Sequence, residues 1–202
     1  GFVGPSGIEL LRMLHDAQII ALTSIDRDYI SDYYRRGDPR CIDSIWKLHQ
    51  DEIFRTNVFA IHPPANRLEY FCGPRAGGIP SYPALVQSGY VRREFTSELD
   101  RLGDEILAAN PDLIIALGNT ALWALAGRTG VAKLRGTTLL STHCISGYKV
   151  LSTYHPSAVL REWSHRPTVV ADLIKAKREA EYPEIRRPAC EIWIEPTLPD
   201  IE

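Results

Sequence analysis

Between residues 150 and 161 the chain reads VLSTYHPSAVLR. A short apolar run, Val150 and Leu151, ends in small hydroxylated residues, and His155 follows, with Pro156 directly behind it. That order sets a ring able to donate or accept a proton where a strand stops, with proline restricting its backbone. Ser157 and Arg161 are residue types that hold phosphate oxygens. Val159 and Leu160 between them form an apolar tip. A second polar candidate is Asn57, inside IFRTNVFAI at 53–61, because an amide in mid-strand is costly unless it is bonded. Phe2, in the opening GFVGPSG, adds an apolar aromatic ring. Each has an ordinary alternative: a turn histidine without chemistry, an amide tied to a neighbouring loop, an aromatic in the core, and a helix start whose Val159 and Leu160 are merely buried.

The elements that would position these residues follow from the patterns around them. Residues 6–17 predict a helix capped by Ser6, with Glu9 three residues on and Ile8, Leu11 and Leu14 at helical spacing. Residues 26–52 are polar, aromatic and charged, and predict short helices. Residues 53–61 are β-branched and aromatic, a strand pattern that HPPANR then stops. Residues 63–90, rich in Pro and Gly, predict a long loop. A helical stripe of Phe95, Leu99, Leu102 and Ile106 precedes DLIIAL at 112–117, a run that suits a parallel strand buried on both faces. Gly118 turns the chain into a helix closed by Gly127. TTLLST and YKVLSTY predict a hairpin or two neighbouring strands, and a further helix starts at Arg166 with Pro167 in its first turn. A short strand-like CEIWIE lies in the proline-bearing tail. Strands alternating with helices predict a three-layer α/β/α sandwich around a mainly parallel sheet of about four strands, its first strand missing from this chain. Ligands of such sheets bind at the carboxyl ends of strands, which selects the loops after Ile61, after Leu117 and around His155.

The composition narrows the classes. A length of 202 residues predicts one domain with appended tails, and 45% hydrophobic content suits a packed core. A net charge of −2 excludes a uniformly basic surface, so a nucleic-acid site must be a local patch. No apolar run can span a bilayer and no signal peptide opens the chain, which predicts a soluble protein of the cytoplasm, in a bacterium or a phage-infected host. Cys41, Cys72, Cys144 and Cys190 are scattered without a C-x-x-C pair and predict buried free thiols, with neither a zinc site nor a disulfide framework.

Four segments then carry a resemblance. FVGPSGIELLRML (2–14), TNVFAIHPPANR (56–67), IIALGNTALWALAG (114–127) and TYHPSAVLR (153–161) are similar, in this order, to the motifs of the uracil-DNA glycosylase superfamily, nearest its family-4 and phage-associated branch. The resemblance implies a metal-free, cofactor-free glycosylase that flips uracil from DNA and hydrolyses its N-glycosidic bond in base excision repair. It implies that His155 donates to uracil O2 as the base departs as an anion. Asn57 would complement N3–H and O4, a pattern that cytosine reverses. Phe2 would stack on the flipped base. Ser157 and Arg161 would hold phosphates, and Leu160 or Val159 would fill the vacated stack. Arg135 and Gly136 offer a further backbone contact, against a plain solvated turn, and Lys175, Lys177 and Arg178 read as a solvated face.

This chain also departs from the family. The family's first motif, a Gly-rich turn bearing the water-positioning acid, belongs upstream of the segment that Phe2 opens, so either the chain is incomplete or the acid is lost. Ile61 stands where family 4 has an iron–sulfur cysteine and Cys72 comes too early for the next, so no cluster is expected. The stretch from about 18 to 52 is longer than the family's. Residues 1–182 are expected to form the glycosylase-like domain, and 183–202 a tail or a linker to a further domain. That tail supports a competing reading, a non-catalytic DNA-binding module of a phage replication polymerase, whose polymerase domain would be a partner in the same or an associated chain. A nucleotide-binding enzyme using ALGNTAL is a more distant reading, without a G-x-G-x-x-G or a P-loop.

Overall fold

The computed structural model describes residues 2–186; the expected strand-like CEIWIE and Cys190 lie outside them. Helix α1 (Pro5–Asp16) starts one residue earlier than expected, because Pro5 occupies its first turn and Gly4, not Ser6, is the N-cap. Glu9 does not serve a capping box; it is buried and paired with Arg166. Helices α2 (Ser24–Arg36) and α3 (Pro39–Leu48) fill the polar stretch as expected. Thr23 and Asp26 form a capping box on α2, and Asp38 caps α3. Strands β1 (Cys72–Gly73) and β2 (Tyr90–Val91) pair in a small antiparallel ladder within the long loop. Helix α4 (Thr96–Ala109) leads to β3 (Ile114–Leu117) and α5 (Gly118–Ala126), which Gly127 ends in the left-handed region. A short α6 (Val131–Leu134) precedes the hairpin of β4 (Thr138–Thr142) and β5 (Ser146–Thr153), and α7 (Pro156–Arg161) and α8 (Arg166–Glu179) follow.

The main sheet has the order β3-β5-β4 among the described residues, with β3 parallel and β4 antiparallel to β5. Alternation along β3 splits the core. Ala116 and, on β5, Val150 join Leu99, Leu102, Ile106 and Trp123 on one face. Ile115 and Leu117 pack on the other, with Ile8, Leu11, Ile42, Ile45 and Leu173. A sheet covered by helices on both faces is the expected sandwich.

Residues 53–61 form no strand. Their backbone is held by side chains of α4 instead: Arg101 Nη2 donates to the carbonyls of Asn57 (2.8 Å) and Val58 (3.1 Å), and Glu98 accepts from the Ala60 N–H (2.6 Å). The β-branched pattern suits a half-buried segment, but among the described residues no strand pairs with it. Cys41, Cys72 and Cys144 are free, yet half-buried rather than buried. Burial pushes the Cys144 thiol up to about 11. Among the described residues no three His, Cys, Asp or Glu side chains gather as metal ligands, and no helix is long and apolar enough to cross a membrane.

Midway along β5 the Lys149 side chain has no exposed surface. Its Nζ donates to Glu179 Oε2 (3.3 Å) and to the carbonyls of Tyr182 (2.5 Å) and Glu184 (3.0 Å), and it lies 4.0 Å from the centre of the Tyr182 ring. A buried ammonium persists only where partners replace its water.

Candidate active site

The parallel register Leu117↔Thr153 ends β3 and β5 side by side, so the turns that follow them share one edge of the sheet. Gly118 leaves β3 with φ +83°, and a Cβ there would lie 3.1 Å from the His155 Cβ. Glycine therefore serves both the backbone angle and the approach of the histidine. His155 is itself the N-cap of α7. Its Nδ1 accepts the Ser157 N–H (3.1 Å) and lies 2.8 Å from Ser157 Oγ. A backbone N–H can only donate, so this contact assigns Nδ1 as the acceptor and the proton of the neutral ring to Nε2. Nε2 has no partner among the described residues. Burial, and then the charge of Arg161, lower the His155 pKa, so the neutral donor form prevails at neutral pH.

Phe2 stacks on His155 with ring centroids 5.3 Å apart and planes inclined by 25°. Its backbone has φ +60°, and its carbonyl accepts from the buried indole of Trp46 (Nε1 to O, 2.9 Å). The same carbonyl presses on α1 where a Cβ on Gly7 would stand 1.8 Å away. Phe2 and His155 thus form one aromatic wall at the carboxyl edge of the parallel pair.

Asn57 sits elsewhere. Its side chain is exposed and makes no hydrogen bond among the described residues. It lines an open cleft of about 470 Å³ with Phe54, Arg55, Thr56, Ala60, Arg101 and Glu105, which neither Phe2 nor His155 joins. The expected amide in a strand is instead an amide on an extended loop clamped by α4. Besides Arg101 and Glu98, Glu105 accepts from the Thr56 hydroxyl and pairs with Arg101 (2.7 Å). Burial alone would raise the Glu105 pKa, but the hydrogen bonds from Thr56 and Arg101 and the Arg101 charge together outweigh it and lower the pKa.

The tip of the loop is resolved by burial. Val159 is wholly buried in the core between α1, α3 and α8, whereas Leu160 is 45% exposed. Arg161 is exposed and has no ion-pair partner among the described residues. Ser157 turns its hydroxyl to His155, so any phosphate bond would have to share it. Arg135 is no free turn cation: it forms an ion pair with buried Asp172, whose Oδ2 also accepts from Thr153 Oγ1 (2.6 Å). The solvated face expected on α8 is partly tied down. Lys175 donates to the Gly136 carbonyl (2.8 Å) and Lys177 to that of Gln18 (2.6 Å).

Sequence reasoning missed the α4 clamp, although Glu98, Arg101 and Glu105 recur at intervals of three and four, a polar stripe on one helix face. It also missed Gly7 and Trp46 behind Phe2, whose pairing spans 44 positions and leaves no local signal.

The family model described as Uracil DNA glycosylase superfamily matches residues 1–178. A Thermotoga maritima protein described as Type-4 uracil-DNA glycosylase is 39% identical over 134 residues. That match covers 64% of this chain and 57% of the relative's length.

Proposed function

The chain belongs to the uracil DNA glycosylase superfamily, and on that footing we propose that it flips uracil out of DNA and hydrolyses the bond between uracil N1 and the sugar C1′. The observation that carries this reading is the Phe2–His155 wall, with Nδ1 engaged by the Ser157 N–H and Nε2 left as a neutral donor. As the glycosidic bond breaks, its electron pair moves onto the base and the sugar becomes oxocarbenium-like. Water then adds its oxygen to C1′ and releases one proton to solvent, and the departed uracil anion takes up one, so the products are free uracil and a sugar bearing a C1′ hydroxyl. A neutral Nε2–H directed at uracil O2 stabilises charge that exists only late in this step, so it accelerates the chemistry more than it tightens binding. A ring with a lowered pKa suits that task, since it donates the hydrogen bond without surrendering the proton.

Phe2 offers a stacking face that offsets part of the cost of unstacking the base. Asn57, exposed and with its side-chain amide unbonded among the described residues, reads N3–H and O4. Leu160, the exposed apolar residue of α7, fills the vacated stack, and Arg161 neutralises a neighbouring phosphate. In this reading the glycosylase unit takes in the expected residues 1–182 and runs on to Glu184, whose carbonyl accepts from Lys149.

The test is single-turnover excision from a uracil-containing oligonucleotide beside equilibrium binding, for the parent and for His155→Ala. Excision should fall roughly a hundredfold to a thousandfold, with a much smaller change in affinity. Equal losses in both would make His155 a binding or folding residue. A parent that binds DNA but excises nothing would replace this reading with a non-catalytic DNA-binding module.

A further inference from the structure

Between α7 and α8 the chain passes through Trp163, which is 59% exposed, while Trp46 and Trp123 are buried. One face of the ring has a charged neighbour. The Arg166 guanidinium lies 5.3 Å from its centre. That guanidinium is anchored in turn, Nε to Glu9 Oε1 and Nη2 to Asp16 Oδ2, both at 2.7 Å. Glu9 is buried on α1, so the cation behind the ring is part of the framework. The acidic neighbour Glu162 is occupied by the Ser164 hydroxyl (2.9 Å) and His165 Nε2 (3.3 Å). Two positions before the ring stands Arg161, exposed and without an ion-pair partner among the described residues, and next to Arg161 is Leu160.

We propose that Trp163 is a stacking platform for an unpaired nucleobase adjacent to the flipped nucleotide, on the strand that carries the uracil. The inference rests on the reading of His155 as the uracil site, at the N-cap of α7, eight residues before Trp163 and at the other end of that short helix. Flipping one nucleotide uncovers the faces of its neighbours, and a single strand leaves them uncovered throughout. An exposed aromatic backed by an anchored guanidinium offers its open face to any base, because every base has a π-face. The free Arg161 cation supplies what the adjoining phosphate needs.

The experiment is a cycle across the interface, using the full chain and a single-stranded oligonucleotide whose central 2′-fluoro-deoxyuridine resists cleavage. The nucleotides on its 5′ and 3′ sides are replaced in turn by an abasic residue, and binding is measured for the parent, Trp163→Ala and Trp163→Phe. Removal of the base on one side should weaken the parent roughly tenfold, leave Trp163→Ala unchanged, and weaken Trp163→Phe nearly as much as the parent. Equal losses for parent and Trp163→Ala on both sides, or no loss in either, would overturn the platform. Excision of uracil is measured in parallel. Coupling without excision would sink the glycosylase reading and leave the platform standing, whereas a parent that binds no DNA would sink both.

Discussion

Gly7→Ala tests whether the approach to Phe2 is built as described. Gly7 lies in the first turns of α1, where helix propensity alone favours alanine by up to about 1 kcal/mol. The structure predicts the opposite sign. The new Cβ would meet the Phe2 carbonyl oxygen at 1.8 Å, and real contacts stop near 3.0 Å, so that backbone must retreat by about 1.2 Å. The retreat breaks the 2.9 Å bond from Trp46 and leaves a buried indole N–H unpaired, a loss of about 1–3 kcal/mol. Net destabilisation should be on the order of 1 kcal/mol. Activity should suffer more, because a displacement near 1 Å at a stacking group costs roughly a hundredfold in rate. Urea unfolding and single-turnover excision would be measured for the parent, Gly7→Ala, Trp46→Phe and the double variant. With the indole nitrogen already gone, the stability cost of Gly7→Ala should shrink. If Gly7→Ala is as stable as the parent and excises at full rate, Phe2 is not held where the structure puts it.

Excision should decline on the acid side with an apparent pKa below the ordinary histidine value of about 6.5, and Arg161→Gln should move that limb upward by removing the adjacent positive charge. The unfolded chain binds more protons between the two His155 values, so this residue's contribution to stability rises with pH through that window and is complete above about 6.5; a pH series of denaturant melts on parent and His155→Ala reads it. Asn57→Asp should relax the preference for uracil over cytosine, and Arg101→Ala should lower excision about tenfold or more by releasing the Asn57 carbonyl. In the Asn57→Ala background the Arg101 effect should vanish, and an undiminished effect there would place Arg101 outside the positioning of Asn57.

What could be foreseen from the sequence was whatever local chemistry decides. The β3 strand, the Gly118 turn, the cap at Gly127, the β4–β5 hairpin and the helix at Arg166 each carry a nearby signal of burial, turn type or capping. Residues 53–61 misled because a β-branched run specifies extension, while a strand also needs a neighbour; Arg101 and Glu98 take the neighbour's place. Ser6 misled because a proline at the first helical position moved the cap back to Gly4. Within the site, His155 and Phe2 were recognisable and do meet. The choice between Val159 and Leu160 was beyond reach, since six residues of helix offer no periodicity to separate a core face from an open one. Trp163 passed unnoticed, as exposure and the buttress from Arg166 depend on α1.

The buried Lys149 bears on where this folding unit stops. Its ammonium draws two of its oxygens from the main chain at Tyr182 and Glu184, beyond the end of α8. Those residues therefore belong to the solvation shell of a charge on the central strand β5, and they are not free to be reassigned to whatever follows. A chain trimmed after Tyr182 would keep the lysine but withdraw one of its oxygens, leaving a cation short of partners in a place water does not reach. The natural cut lies past Glu184, and a domain joined there would inherit an exit point fixed against the sheet.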